Sequence, residues 1–210
     1  MYVLYYSPGT ASMAVHQTLL ELGVPHELRE VDLDNQQQKS PDYLRLNPNG
    51  TVPTLIVDGA PVYECAALLL LLAERHPEAE LAPLAGSPHR GLWLQWMLHL
   101  ANTLQPAFRQ WFYPQDFAAR EHEPEAREFA RKRIEAEWSR LDAHLAAHGP
   151  YVLGQRMGIL DLYVTMLMRW SRNMPRPATE WPALAALATN VKARPSWARL
   201  YEIERLSEWA

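Results

Sequence analysis

Residues 77–88, PEAELAPLAGSP, constrain the fold most, because they part the chain into halves of different build. Three prolines and a glycine without hydrophobic periodicity read as a linker. Before it, strand-like and helix-like runs alternate; after it, the pattern is helical throughout. All 8 Trp and all 4 Phe lie beyond residue 92. Charge divides the same way: residues 1–92 hold 5 Lys+Arg against 11 Asp+Glu, and the remainder 15 against 13. We expect one domain over residues 1–77, a linker over 78–88 and a second domain over 89–210.

In the first half, YVLYY at residues 2–6 reads as a strand closed by Ser7-Pro8-Gly9. SMAVHQTLLEL follows with approximate helical spacing, and Gly23 is a natural stop. Residues 25–31 alternate weakly, as a second strand does. TLIV at 54–57, the turn Asp58-Gly59 and PVY at 61–63 predict a hairpin. A leucine-rich helix over 64–76 ends at Pro77. The order is β-α-β, a connecting stretch, then β-β-α. Beyond the linker, helices are predicted near 89–112, 125–147, 159–172, 181–192 and 196–207.

Composition narrows the function. The net charge of −4 offers no overall attraction for a phosphate backbone, so no nucleic-acid partner is expected. The longest apolar run, residues 66–73, is far shorter than the roughly 20 residues of a membrane span. The N-terminus carries no export signal, and the single cysteine, Cys65, excludes an internal disulfide framework and a cysteine-rich zinc site. A reducing cytoplasm is the expected compartment. The eight histidines form no ligand pattern, so no metal is expected. Arg131-Lys132-Arg133 sits among glutamates at helical spacing and reads as a solvated face.

Three features of the first half carry chemistry. Tyr5 to Ser12, YYSPGTAS, joins a strand to a helix start, where free N–H groups and the dipole favour an anion. A hydroxyl there can stabilise that anion, or Ser12 can simply cap the helix. Asn47 to Leu55, NPNGTVPTL, puts Pro53 at the mouth of a strand after a β-branched residue, a candidate cis bond. A cis bond would turn the Val52 backbone outward to pair with an extended peptide. Glu64-Cys65 opens the leucine-rich helix. Its carboxylate suits the dipole, and it can also pair with a ligand ammonium beside N–H groups that hold a carboxylate.

Together these features resemble the soluble glutathione transferase superfamily, and the opening YYSPGTASMA is similar to its bacterial beta-type branch. The likeness continues in Tyr151-Val152-Leu153-Gly154 and in residues 157–162, MGILDL. It implies an α/β thioredoxin-like N-terminal domain followed by an all-α helical bundle. It implies a cis-proline at Pro53, and a grip on the γ-glutamyl end of glutathione at Glu64 and Cys65. Thr10, Asn49, Val52 and Pro53 are the further expected glutathione contacts. A homodimer and a detoxification role are implied as well.

Three positions depart from the family's pattern. Ala11 stands where beta-type members have a cysteine, which excludes disulfide exchange there. Cys65 stands where the family keeps a serine, a stronger hydrogen-bonding partner. Gly158 stands where a hydroxyl caps the helix that carries Asp161. The expected chemistry is conjugation of reduced glutathione to small hydrophobic electrophiles through a hydroxyl-stabilised thiolate. Ser12 is the first choice for that hydroxyl and Tyr6 the second, with Thr10 third. Glutathione serves as co-substrate.

The expected electrophile pocket lies between the domains. Pro8, Phe108, Trp111, Phe112 and Tyr113 are its candidate lining, although Phe108 and Phe112 also have the spacing of plain core. Glutathione-dependent peroxide reduction or isomerisation shares the same glutathione site. A non-catalytic binding protein on the same fold is the alternative from another class. Cys65 reads either as a thiol activated by the helix start or as a small buried residue.

Overall fold

The computed structural model describes residues 1–209. Two compact units emerge: Met1–Ala82 together with the chain from Lys192 onward, and Pro83–Val191. The last segment, expected with the helical domain, therefore groups with the N-terminal unit. In chain order the first unit supplies β1 (Tyr2–Tyr6), α1 (Ser12–Leu22), β2 (His26–Glu30), α2 (Pro41–Leu44), β3 (Thr54–Val57), β4 (Ala60–Tyr63) and α3 (Cys65–Arg75). The second holds α4 (Arg90–His99), α5 (Gln105–Phe112), α6 (Glu123–His148), α7 (Ile159–Trp170) and α8 (Pro182–Lys192), and α9 (Pro195–Ile203) returns to the first. A thioredoxin-like sheet domain and an all-helical domain are the expected classes, and both are present.

The sheet order is β2-β1-β3-β4. β1 runs parallel to β2 and antiparallel to β3, and β3 pairs antiparallel with β4. Leu4 faces Leu28 on one side and Leu55 on the other. The alternation of β1 sends Tyr2, Leu4 and Tyr6 inward. Asp58 and Gly59 both have positive φ, 52° and 83°, as the two-residue hairpin between β3 and β4 requires. α1 ends at Gly23, whose φ of 64° leads the chain away. The cis bond expected at Val52-Pro53 is present, and Gly149-Pro150 is cis as well.

α1 packs against β1, α3 and α9. Surrounded in this way, it is buried at every position from Ser12 to Leu19, the polar His16, Gln17 and Thr18 included. Leu4, Leu19, Leu55, Leu68, Leu69 and Leu72 have no exposed surface. Each such side chain favours folding by about 1.5–3 kcal/mol over its exposed state. The connecting stretch between β2 and β3 hides a single helical turn, α2, capped by the Ser40 hydroxyl and started by Pro41.

In the second unit α7 is buried from Ile159 through Arg169. Its own Tyr163, with Trp93 of α4, Phe108 of α5 and Trp138 of α6, has no exposed surface. A π-helical turn, Leu100–Leu104, joins α4 to α5. Pro106 in the first turn of α5 has no N–H to give an ordinary helical bond, which accounts for the wider turn. Asp161 accepts from the backbone N–H of Gly158 at 2.7 Å and of Val152 at 2.9 Å. Half of a capping box thus survives the missing hydroxyl at Gly158. Burial is the largest influence on Asp161 and, against these bonds, pushes its carboxyl up to about 7. Arg131 pairs with Glu128 and Glu135 along α6, the solvated face the spacing predicts.

Candidate functional site

The loop between β1 and α1 folds around two hydroxyls, those of Thr10 and Ser12. Ser12 Oγ has no exposed surface. It accepts from the Ser7 backbone N–H at 3.2 Å, lies 3.1 Å from the Ser7 carbonyl, and lies 2.9 Å from Thr10 Oγ1. Thr10 is half-buried and donates to the same carbonyl at 2.7 Å. The residue before α1, Ala11, offers no side-chain cap. Ser12 was expected to meet a ligand anion directly; its hydroxyl instead faces into the loop, because Ser7 and Thr10 enclose it.

The start of α3 lies against this loop, for Cys65 Sγ donates to the Ala11 carbonyl at 3.3 Å. Burial pushes the Cys65 thiol far above its ordinary value, with the neighbouring Glu64 charge adding to the effect. The reading of Cys65 as a small buried residue is the one that holds. Glu64 itself is exposed and sits at φ 78°, ψ 114°, a backbone region that non-glycine residues rarely occupy. Such strain is of order 1–3 kcal/mol and concentrates at ligand clamps. The Glu64 side chain makes no cap bond to α3, whose first N–H groups have no intrahelical partner.

The turn before β3 completes the cluster. Asn49 Nδ2 reaches Glu64 Oε1 at 3.4 Å. The Asn49 carbonyl in turn accepts from Lys39 Nζ at 3.2 Å. Gly50, at φ 58°, leaves no room for a Cβ, which would meet Lys39 Nζ at 2.7 Å and the Gln38 carbonyl at 2.9 Å. Val52 is half-buried next to the buried Pro53. All three features read from the sequence thus converge: Thr10 and Ala11, Asn49 to Pro53, and Glu64 with Cys65.

Tyr6 stands apart from them. It is buried, and its hydroxyl donates to Glu30 Oε2 at 3.4 Å. Burial first, then the charges of Glu30 and Glu204, raise its pKa. Glu30 also binds Arg205 at 2.6 Å. Sequence reasoning missed a second anchor of the loop. Glu204 Oε2 accepts from the Gly9 N–H at 2.8 Å, while Glu204 Oε1 lies 2.7 Å from His16 Nδ1. Lys39 was also missed; the glycine at position 50 was the available hint that something approaches closely there.

The expected lining divides, with its four aromatics in the second unit and Pro8 in the first. Phe108 has no exposed surface, lying against Phe112, Trp138 and Trp170, so it is core and not lining. Phe112 and Tyr113 remain 43% and 45% exposed. Trp111 is half-buried beneath Arg127, and Arg109 lies over the Tyr113 ring. Pro8, in the first unit, is half-buried. Among the described residues no three His, Cys, Asp or Glu are grouped to hold a metal ion, and no helix is long and apolar enough to cross a membrane.

Comparison with known proteins agrees with this arrangement. The family model for the glutathione S-transferase N-terminal domain matches residues 10–75, and that for the C-terminal domain matches residues 102–200. Glutathione S-transferase GstA of Escherichia coli O157:H7 is 30% identical over 195 residues, 91% of this chain and 93% of that protein. Glutathione S-transferase GST-4.5 of Xanthomonas campestris is 34% identical over 174 residues, 80% of this chain and 81% of that protein. A glutathione transferase homologue from Sulfitobacter, solved with bound glutathione, superposes with a TM-score of 0.90 at 27% identity, covering 98% of this chain and 99% of that one.

Proposed function

The chain belongs to the glutathione S-transferase family, and on that footing we propose that this enzyme conjugates reduced glutathione to small apolar electrophiles. The carrying observation is the junction of Thr10–Ala11, Asn49–Pro53 and Glu64–Cys65 around the uncapped start of α3. Glu64 pairs with the ammonium of the γ-glutamyl end, and the first N–H groups of α3 receive its carboxylate. The Val52 backbone beside Pro53 pairs with the cysteinyl residue as one strand pairs with another. The Thr10 hydroxyl, beside the buried Ser12 at the start of α1, attends to the sulfur. Tyr6, its hydroxyl already given to Glu30, serves the core of the sheet domain.

A free thiol has a pKa of about 8.5, so most glutathione is unreactive at neutral pH. Each unit by which the site lowers that value reflects about 1.4 kcal/mol of preference for the thiolate. A hydroxyl donor and a helix start supply such preference. The thiol proton leaves to solvent. The sulfur lone pair then forms a C–S bond, and at an aryl or alkyl halide the halide departs with its bonding pair. Trp111, Phe112 and Tyr113 offer apolar surface to the electrophile. A detoxifying, cytoplasmic homodimer is the working form under this reading.

The test is thioether formation from glutathione and three electrophiles: an activated aryl halide, an epoxide and an activated alkene. A rate that saturates in glutathione and falls at least tenfold in Glu64→Ala supports the proposal. No glutathione-saturable rate with any of the three overturns it, and favours a binding role for the fold.

A further inference from the structure

We propose that Thr10, through Oγ1, is the donor that meets the glutathione sulfur, and that Ser12 is the buried positioning residue that frees it to do so. The inference rests on the glutathione reading above and deepens it.

Proton counting in the loop carries the argument. Thr10 and Ser12 have two hydroxyl protons between them. They share three contacts: Thr10 Oγ1 to the Ser7 carbonyl at 2.7 Å, Ser12 Oγ to that carbonyl at 3.1 Å, and Thr10 Oγ1 to Ser12 Oγ at 2.9 Å. Three arrangements keep both protons inside: both hydroxyls donate to the carbonyl, whose two lone pairs allow it; Ser12 donates to Thr10 and Thr10 to the carbonyl; or Thr10 donates to Ser12 and Ser12 to the carbonyl. In a fourth, Ser12 donates to the carbonyl and Thr10 turns its proton outward.

This outward arrangement leaves no buried polar group without a partner. The Ser7 carbonyl keeps the Ser12 proton, and Ser12 Oγ still accepts from the Ser7 N–H. Thr10 Oγ1 still receives the Ser12 N–H at 3.4 Å. Moving between arrangements needs only rotation of hydroxyl protons, with no displacement of heavy atoms. Ser12 cannot exchange roles with Thr10, because Ser12 has no exposed surface and Thr10 is half-exposed.

The loop is fixed around this pair. The N–H groups of Gly9, Thr10 and Met13 are bound by Glu204, the Ser7 carbonyl and the Thr10 carbonyl. The Thr10 hydroxyl is therefore a donor presented on a held frame, the condition under which it stabilises a developing charge without reorganisation.

The readout is the apparent pKa of enzyme-bound glutathione, followed by thiolate ultraviolet absorbance against pH and by the pH profile of kcat/KM. Thr10→Val keeps the side-chain shape and removes the donor. It should raise that pKa by about one unit and lower the neutral-pH rate roughly tenfold, with glutathione affinity changed less than about threefold. Thr10→Ser should restore wild-type behaviour. Ser12→Ala should also raise the pKa, because the Ser7 carbonyl then competes for the Thr10 proton. A Thr10→Val enzyme with the wild-type thiolate pKa overturns the inference while glutathione binding stands. Failure of the unaltered protein to bind glutathione overturns both.

Discussion

Glu204 and His16, 188 residues apart in sequence, meet with Oε1 2.7 Å from Nδ1 and neither side chain exposed. The other Glu204 oxygen holds the Gly9 N–H at 2.8 Å. One carboxylate just beyond α9 therefore fixes both α1 and the loop that precedes it. Replacing Glu204 by Ala removes the partner of the fully buried His16 Nδ1, at about 1–3 kcal/mol, and one bond to the Gly9 N–H. Urea unfolding should show a clearly lowered midpoint for Glu204→Ala. Glu204→Gln, which can still accept one of the two bonds, should fall between it and the parent. Equal midpoints for Glu204→Ala and the parent would contradict this account of the anchor.

Glu64 sits at a positive φ of 78°, where glycine, without a Cβ, meets less crowding. Glu64→Gly should relieve that strain and raise the stability of the sheet domain by up to about 1 kcal/mol. The same change removes the carboxylate assigned to the ligand ammonium. Calorimetry should therefore find thermal stability kept or raised and glutathione affinity reduced at least tenfold. Unchanged affinity would remove Glu64 from the binding site.

Cys65 is buried, and that burial holds it in the thiol form. Thiol-directed alkylation at neutral pH should be far slower than for free cysteine, with or without glutathione. Cys65→Ser substitutes a stronger donor to the Ala11 carbonyl and should retain the fold and bind glutathione at least as tightly. Rapid labelling of native Cys65 would contradict the buried assignment.

Asp161 bears on pH. Its folded pKa, about 7, lies above the unfolded value of about 3.9. Between those values the folded state holds a proton that the unfolded state has released. Stability should then fall as pH rises through this window, by at most about 1.4 kcal/mol per pH unit, and level off above it. Asp161→Asn should lose this dependence. Melting curves from pH 4 to 8 decide the matter; a parent whose stability rises across the window for a reason absent in the Asn variant would reverse the sign.

Local chemistry accounts for what could be read from the sequence. Asp58-Gly59, Gly23, Val52-Pro53 and Glu64-Cys65 each act within a few residues, so their turns, stops and helix start were legible. The one-turn α2 lacks hydrophobic periodicity, and only its Ser40-Pro41 start betrays it. Ser12 and Thr10 are both hydroxyls two residues apart, and sequence cannot say which faces inward. Phe108 and Phe112 share a helical spacing, yet one is enclosed and the other 43% exposed. The grouping of α9 with the sheet unit, and Glu204 with His16, depends on long-range packing that no local pattern records.

The most direct measurement is an isothermal titration of the purified protein with reduced glutathione at neutral pH, performed in two buffers of different ionisation enthalpy. The account predicts saturable binding at micromolar to low-millimolar Kd. It also predicts a buffer-dependent heat, as the bound thiol gives its proton to solvent. No detectable binding, together with no thermal shift at saturating glutathione, would contradict it.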